Sequence, residues 1–240
     1  MGQELKDKVA VITGASRGLG RAVAIDLASR GAKVTLIARG EKDLDELVDA
    51  IRGRGGDALA LPCDVADKDQ VLRTAERIRT EAGRCDILVN NAGIPAPRGI
   101  EGTEFDDWER VLGVNLFGAF YFTRALWNLL LESDSGYVIN VSGGAGKRGG
   151  GSPGYASSKF GLEGLTAAIA ASGSDHNVRA TALYPGSMDT GWRGAPIGDK
   201  PAREIMDPAE VARFVGYLVT TPTEFVINEA ILNPIGHPWG

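Results

Sequence analysis

Short apolar runs alternate with longer segments of helical periodicity along nearly the whole chain. The apolar runs occupy residues 8–13, 33–38, 58–63, 86–90, 136–141, 178–184 and 226–232. Continuous apolar runs of this length are typical of strands buried on both faces, as in parallel sheets covered by helices. The alternation therefore predicts an α/β fold with a doubly wound parallel sheet of about seven strands and helices on both faces.

Length and charge agree with this prediction. The 240 residues could form one or two domains by size, but the alternation is unbroken and no long linker interrupts it. We therefore expect a single domain over residues 1–240. The net charge of −5 and the scattered basic residues argue against a nucleic-acid partner.

Membrane, disulfide and metal chemistry are not expected. No apolar stretch reaches the roughly 20 residues that span a bilayer, and MGQELKDK lacks the apolar core of a signal peptide, so we expect a cytoplasmic protein without a membrane partner. Cys63 and Cys85 flank strands and are predicted to be buried or half-buried thiols. His176 and His237 are isolated, so no metal site is predicted.

A glycine-rich turn, GASRGLG at residues 14–20, separates the first strand from a helical pattern at 21–30. Its glycines allow backbone angles and close approaches that a side chain blocks, and a helix start offers free N–H groups to a pyrophosphate. The spacing GxxxGxG differs from the more common GxGxxG, and a tight strand-to-helix connection is the alternative. Its place at the first such turn favours a nucleotide-binding, Rossmann-like fold.

A hydroxyl, a phenol and an ammonium group occur together between residues 142 and 159. Tyr155 and Lys159 are four residues apart and share a helical face, so the lysine charge can stabilise the phenolate and lower the pKa of the tyrosine. Ser142 would hydrogen-bond a substrate oxygen. This set predicts proton transfer to a carbonyl, as in an oxidoreductase, with packing of the tyrosine in the core as the alternative.

Seven short motifs stand in order along the chain: TGASRGLG, Asp64-Val65, NNAG at 90–93, Asn115, Ser142, YxxxK at 155–159, and Pro185-Gly186. In this order the chain resembles the short-chain dehydrogenase/reductase family over essentially its whole length. The resemblance implies that Tyr155 is the acid/base, that Lys159 lowers its pKa and binds the nicotinamide ribose, and that Ser142 polarises the carbonyl. It implies a water-mediated proton relay through Asn115, which could alternatively be a buried polar residue within an apolar helix.

The resemblance also implies a cofactor site. Its residues are Gly14, Ser16, Arg17, Gly18, Leu19, Gly20, Arg39, Asp64, Val65, Asn91, Ala92, Gly93, Tyr155, Lys159, Pro185, Gly186 and Thr190. Asp64 would bond the adenine, and Asp64 or Asp67 could instead cap the following helix. Thr190 would bond the nicotinamide carboxamide.

Charge at the end of the second strand predicts the form of the cofactor. A carboxylate there would receive a ribose 2′-hydroxyl, but the strand KVTLIA ends in Arg39, and Arg17 lies in the glycine turn. Two guanidinium groups can clamp a 2′-phosphate, so we predict NADP(H), preferred over NAD by about 30- to 1000-fold. Glu41 could bond a 2′-hydroxyl instead, or serve the helix dipole.

Residues 187–206 are predicted to be a short substrate lid. Met188, Trp192 and Ile94 would form an apolar wall with Pro95 and Trp239, and Arg193 and Arg203 are optional anchors for an anionic group. Six glycines at 143–151 predict a segment that is mobile without ligand. Lys147 and Arg148 within it could attract an acidic partner or form a solvated loop face.

The expected activity is the NADPH-dependent reduction of a ketone or aldehyde, with alcohol oxidation as the reverse reaction. The alternatives are reduction of a 3-oxoacyl thioester on an acyl carrier protein and a non-catalytic NADP(H) sensor, for which a proton relay would be superfluous. The small residues along the helix from Tyr155 allow close helix approach, on the chain's own sheet or on a second chain. The resemblance implies a homodimer, with a homotetramer left open.

Overall fold

A single parallel sheet runs through the chain. The structure, a computed structural model, describes residues 4–150, 152–194 and 196–236. Seven strands pair in the order β3-β2-β1-β4-β5-β6-β7, and all six pairings are parallel. The strands are β1 (Val9–Thr13), β2 (Lys33–Ala38), β3 (Asp57–Pro62), β4 (Ile87–Asn90), β5 (Tyr137–Val141), β6 (Arg179–Pro185) and β7 (Glu229–Leu232).

Helices follow nearly every strand. They are α1 (Gly18–Ser29), α2 (Glu41–Arg52), α3 (Lys68–Arg77), α4 (Phe105–Leu112), α5 (Gly118–Leu131), α6 (Ala145–Arg148), α7 (Pro153–Gly173) and α8 (Pro208–Thr220). Two π-helical turns, Ile78–Ala82 and Gly113–Phe117, extend α3 and join α4 to α5. No helix of the described ranges has the length and apolar character needed to cross a bilayer.

The sheet has a hydrophobic core on each face. On one face α1, α2 and α8 contribute side chains such as Val23, Leu47 and Val215. On the other face α3, α5 and α7 contribute Val71, Phe122, Ile169 and neighbouring residues. Because both faces are covered, the predicted doubly wound α/β fold is confirmed. Cys63 and Cys85 are buried free thiols, and burial raises the pKa of each.

Most predicted strands agree with the structure within one residue, but the last strand begins three residues later than its apolar run. Phe225 and Val226 are exposed, and the chain beside them is held by side chains of β6. The Arg179 guanidinium donates to the Phe225 carbonyl at 3.1 Å, and the Thr181 hydroxyl donates to the Ile227 carbonyl at 2.6 Å. The apolar residues at 225–227 therefore lie in a loop beside β6, before β7 begins.

The strand order reverses between β1 and β4. From β1 the chain adds β2 and β3 on one side, and then returns to add β4 to β7 on the other. Such a switch point opens a crevice beyond the carboxyl ends of the central strands, because the connections leave in opposite directions. The glycine turn after β1, the NNAG motif at β4 and Ser142 after β5 all lie at this end of the sheet.

Candidate active site

The glycine turn after β1 adopts a backbone that only glycine takes easily. Gly14 and Gly18 have φ values of +65° and +55°. A Cβ on Gly14 would lie 2.9 Å from the Ala92 Cα, so the turn is pressed against the chain after β4. A Cβ on Gly20 would collide with the Gly14 carbonyl oxygen. The predicted close approaches are therefore present in the fold.

Asn91 and Thr13 fasten this turn to the loop after β4. The Asn91 side-chain amide donates to the carbonyls of Thr13 and Gly14, at 2.9 and 3.2 Å. In return, the Thr13 hydroxyl accepts the backbone N–H groups of Asn91 and Ala92, each at 3.0 Å. Asn91 thus positions the turn with its side chain, and any direct contact with a cofactor remains a prediction.

The start of α1 can receive an anion. Arg17 precedes the helix in an extended conformation and its side chain makes no capping hydrogen bond. The first-turn N–H groups and the positive end of the helix dipole therefore face the cleft. Across this cleft a Cβ on Gly18 would lie 3.1 Å from the Thr190 Cβ, so only a residue without a side chain leaves the gap open. These features fit a pyrophosphate.

Arg39 and Arg17 are both exposed at this end of the sheet, Arg39 directly after β2. Within the described ranges neither guanidinium forms an ion pair with a carboxylate of the chain. Glu41 is the first residue of α2, which agrees with the helix-dipole alternative for this residue. The strand end therefore presents positive charge, as the sequence predicts.

The structure decides which of Asp64 and Asp67 caps α3, while the adenine contact of Asp64 remains a prediction. Asp67 caps α3, because its side chain accepts the Gln70 backbone N–H at 3.0 Å, and this bond lowers the pKa of Asp67. Asp64 accepts the Ala66 N–H at 3.0 Å and is not the cap. Val65 is buried against α5, where a Cβ on Gly118 would lie 2.8 Å from its side chain.

Ser142, Tyr155 and Lys159 converge beyond β5. Lys159 and Tyr155 lie on the first turns of α7, and the lysine Nζ is 5.6 Å from the centre of the tyrosine ring. Ser142 follows β5 directly, and its hydroxyl donates a 3.3 Å bond to the Lys159 carbonyl. Between them, Gly143 lies so close to the phenol that a Cβ would be 3.3 Å from the Tyr155 hydroxyl oxygen.

Lys159 is a buried cation without a carboxylate partner among the described residues. Its Nζ donates to the Val141 carbonyl at 2.8 Å, and only 3% of the residue is exposed. Burial lowers the pKa of Lys159 to about 8, because the charged form loses its hydration. The charge is thus held close to the tyrosine in a buried site.

Asn115 lies in the π-helical turn between α4 and α5. Its Oδ1 accepts the Ile94 N–H at 2.8 Å, and its Nδ2 donates to the Ile94 carbonyl at 3.1 Å and to the Ser158 hydroxyl at 3.2 Å. The Ser158 hydroxyl in turn donates to the Tyr155 carbonyl at 2.7 Å. Protein groups therefore satisfy the buried amide, and the water-mediated relay remains a prediction. Such turns are frequent at functional sites.

Residues 187–206 form a loop closed at its base by hydrogen bonds between Met206 and residues 187 and 189. Trp192 lies near the candidate site, with its ring centre 6.3 Å from that of Tyr155. Met188 packs against the core of α1 and α8, and its predicted substrate contact remains untested. Pro185 ends β6, and the Gly186 N–H donates to the Leu232 carbonyl at 2.7 Å.

Some predicted positions need correction or lie elsewhere. Lys147 does not form a solvated loop face, because its ammonium group lies between Glu163 and Glu229, 2.8 Å from each. Trp239 and the Arg193 side chain lie outside the described part of the chain. No group of three or more potential metal ligands occurs within the described ranges.

Comparison with known proteins now decides the family. A model described as short chain dehydrogenase matches residues 8–197. The chain belongs to the short-chain dehydrogenase family. The family resemblance inferred from the motifs is confirmed, and the chain is an oxidoreductase of this family. Tyr155, Lys159 and the glycine turn all lie within the matched region.

Three relatives illustrate the similarity. A 3-oxoacyl-[acyl-carrier-protein] reductase of Synechocystis sp. is 34% identical over 97% of this chain and 97% of its own. An alcohol dehydrogenase from the archaeon Thermococcus sibiricus, complexed with 5-hydroxy-NADP, superposes with a TM-score of 0.90 at 27% identity, over 95% and 97% of the chains. A metagenomic short-chain oxidoreductase in complex with NADP superposes with a TM-score of 0.85 at 32% identity, over 96% of this chain and 99% of its own.

Sequence reasoning missed the residues that position the site. Thr13 and Ser158 hold its loops, and Lys147 fastens the segment after Ser142. Thr13 could have been suspected, since a polar residue closing an apolar strand needs a buried partner. The Asn115 partner of Ser158 and the Glu229 partner of Lys147 lie 43 and 82 positions away, and no local pattern identifies them.

Proposed function

We propose that this chain is an NADPH-dependent reductase of a ketone or aldehyde, with alcohol oxidation as the reverse reaction. One observation carries the proposal. The buried Lys159 ammonium lies 5.6 Å from the ring of Tyr155, with Ser142 bonded to the backbone of the same lysine. A cation in this position favours the phenolate and so tunes the phenol for proton transfer near neutral pH.

The chain's own groups would handle the proton and the carbonyl oxygen. When bound, NADPH supplies the hydride to the carbonyl carbon. The Ser142 hydroxyl would leave its 3.3 Å bond to the Lys159 carbonyl and donate to the substrate carbonyl oxygen instead, and Tyr155 would transfer its proton to that oxygen as the alcohol forms. Lys159 stabilises the phenolate that remains, because its charge lies close to the ring in a buried site.

The cofactor preference is proposed from positive charge and from the relatives. Arg39 and Arg17 are exposed at the end of the sheet, and neither is paired with a carboxylate in the described ranges. A 2′-phosphate between two guanidinium groups gains charge-assisted, bidentate hydrogen bonds. Two structures similar to this chain are complexes with 5-hydroxy-NADP or NADP, which supports the same choice.

A 3-oxoacyl thioester is the second candidate substrate. The similarity to the 3-oxoacyl-[acyl-carrier-protein] reductase of Synechocystis sp. favours it. The chemistry would be the same, because a 3-oxoacyl thioester presents a ketone to the tyrosine. Lys147 offers no support for an acidic carrier protein, since its charge is taken by Glu163 and Glu229.

We also propose a homodimer. Phe117, Phe120 and Phe160 are exposed on α5, the turn before it and α7. On α7, a Cβ on Gly164 would meet nothing within 4 Å, so this small residue faces away from the chain's own sheet. An exposed aromatic surface beside a helix with small residues is typical of a protein interface. A second copy of this chain is the partner that we expect.

The first test measures NADPH oxidation at 340 nm with a panel of ketones, aldehydes and acetoacetyl thioesters. We expect wild type to reduce members of the panel and Tyr155→Phe to lower kcat by about 10² to 10⁴, the contribution of a general acid. Tyr217→Phe, at an exposed tyrosine of α8, is the control and keeps full activity. Tight NADPH binding without turnover of any substrate would favour a sensor, and undiminished activity of Tyr155→Phe would exclude the mechanism.

A further inference from the structure

The glycine-rich segment between Ser142 and Tyr155 is fastened by the side chain of Lys147. Its Nζ lies 2.8 Å from Glu163 on α7 and 2.8 Å from Glu229 on β7. The same ammonium group lies 4.8 Å from the centre of the Tyr184 ring on β6. One side chain of α6 therefore contacts three other elements of the fold.

The helix that carries Lys147 touches the candidate catalytic groups directly. A Cβ on Gly146 would collide with the Ser142 hydroxyl and would lie 3.1 Å from the Lys159 carbonyl. Gly143, just before this short helix, lies close to Tyr155, because a Cβ added there would be 3.3 Å from the phenol oxygen. Any displacement of α6 therefore changes the surroundings of all three groups.

The surroundings of Lys147 favour a fixed, charged lysine. Burial acts against the charge, but hydrogen bonds to Glu163 and Glu229 outweigh it, and the pKa of Lys147 is raised above its ordinary value. Burial also raises the pKa of Tyr184 to about 12, so this phenol is neutral and offers the ammonium the face of its ring. Lys147 is thus held by two carboxylates and one aromatic ring.

We propose that Lys147 is a positioning residue, which holds α6 against Ser142 and α7 so that the serine hydroxyl and the Tyr155 phenol keep their relative placement. This rests on the reductase function proposed above. Lys147 is bonded to Glu163 and Glu229, and it acts on Ser142 through the preceding residue, Gly146. It is needed because glycine-rich backbone has little conformational preference of its own.

The positioning role differs from ordinary stabilisation in the expected size of two effects, one on the free energy of unfolding and one on the catalytic rate. The side chains of Lys147, Glu163 and Glu229 are 25%, 32% and 45% exposed, so their ion pairs add little to the free energy of unfolding. Misplacement of a reacting group by about 1 Å, in contrast, can cost on the order of 10² in rate. Removing the lysine should therefore slow catalysis far more than it weakens the fold.

The test compares Lys147→Met with Arg77→Met. Arg77, at the end of α3, forms a 2.7 Å ion pair with Glu81 in the π-helical turn that follows, far along the chain from the site, and serves as the matched control. We expect Lys147→Met to lower kcat by about 10- to 100-fold with an unchanged KM for NADPH, and Arg77→Met to change neither. Lys147→Arg, which keeps the charge, should recover most of the rate, and Glu163→Gln should give an intermediate loss because Glu229 remains.

Hydrogen exchange followed by mass spectrometry separates failure of this proposal from failure of the proposed function. Residues 143–150 should exchange faster in Lys147→Met than in wild type or Arg77→Met, whatever the substrate. If wild type reduces no carbonyl compound but this difference is present, the reductase assignment falls and the fastening by Lys147 stands. Unchanged exchange, or a normal kcat of Lys147→Met in an active enzyme, would overturn the positioning role.

Discussion

Lys159 and Asp86 are both buried ionisable residues beside the central strands, but they lie at opposite ends of the sheet and have opposite surroundings. Asp86, before β4, accepts hydrogen bonds from the Val9 N–H at 2.8 Å, the Ser133 hydroxyl at 2.6 Å, and Nε and Nη2 of Arg84. Lys159 donates to a single carbonyl and has no carboxylate partner in the ranges that the structure describes.

The pKa directions show what these surroundings do. Burial alone would raise the pKa of Asp86, but the bonds from Arg84, Ser133 and Val9 outweigh it and lower the pKa. Burial lowers the pKa of Lys159 to about 8, and no carboxylate of the described residues offsets this effect. The charge at the amino end of the sheet therefore stabilises the fold, whereas the charge at the carboxyl end is kept at a cost in stability. A cost of this kind is typical of functional sites.

Replacing the charge at the carboxyl end gives the largest expected effect. Lys159→Met should reduce kcat by about 10² or more, since the cation that supports Tyr155 is lost. At pH 7 the same variant should have a free energy of unfolding about 1–3 kcal/mol higher than wild type, because burying the charged lysine is unfavourable. Denaturant unfolding measured beside turnover checks both. A variant that is inactive and also less stable would contradict the comparison.

The pH dependence of this difference follows from the lowered pKa. Between about 8 and 10.5 the unfolded chain binds the Lys159 proton and the folded chain does not. The free energy of unfolding of wild type should therefore rise with pH across this interval. Above it, Lys159 is neutral in both states and no longer lowers the stability. Lys159→Met lacks this pH dependence. Parallel stability curves for the two proteins from pH 7.5 to 10 would show that the lysine pKa is not lowered.

Removing the charge at the amino end should have the opposite sign. Asp86→Ala leaves the Val9 N–H and the Ser133 hydroxyl without their buried acceptor, and the free energy of unfolding should fall by about 3 kcal/mol. The kcat of the folded variant should equal that of wild type, because Asp86 lies at the far end of β4 from the site. Thermal unfolding and turnover at a temperature well below the transition test this pair of expectations. A large loss of kcat in fully folded protein would show that the two ends are coupled.

Arg39, the exposed cation at the carboxyl end of the sheet, gives the smallest expected effect. Arg39→Asp should lower kcat/KM for NADPH relative to NADH by about 10- to 100-fold, the value of one charge-assisted hydrogen bond, without a loss of stability. Initial rates with each cofactor give the ratio, and Arg54→Asp, outside the cofactor cleft on the turn after α2, is the control. An unchanged preference for NADPH in Arg39→Asp would remove this residue from cofactor selection.

The fold could be predicted because its strands are buried on both faces, so that each one appears as a continuous apolar run. The exceptions have local causes. The apolar residues at 225–227 form a loop held by Arg179 and Thr181, and the strand β7 is therefore shorter than its apolar run. The first helix begins at Gly18, three residues before the apolar periodicity, because the glycine turn itself enters the helix.

The candidate site could be predicted only as a set of residue types. Tyr155 and Lys159 share a helix, so their spacing alone brings them together. Asn91, in contrast, bonds residues 77 and 78 positions away, and Lys147 bonds Glu229 across 82 positions. Such partners depend on the strand order, which places β4 beside β1 and β7 beside β6, and local sequence patterns do not contain this information.

The bonds between Asn91 and Thr13 make the turn after β1 and the loop after β4 a single rigid unit. A molecule that lies across both segments therefore meets groups at a constant spacing. The glycine turn and the loop after β4 therefore cannot approach or separate to suit a shorter or longer molecule. We expect selection between cofactors to depend on charge at the outer edge of the sheet, and selection between substrates on the loop closed by Met206.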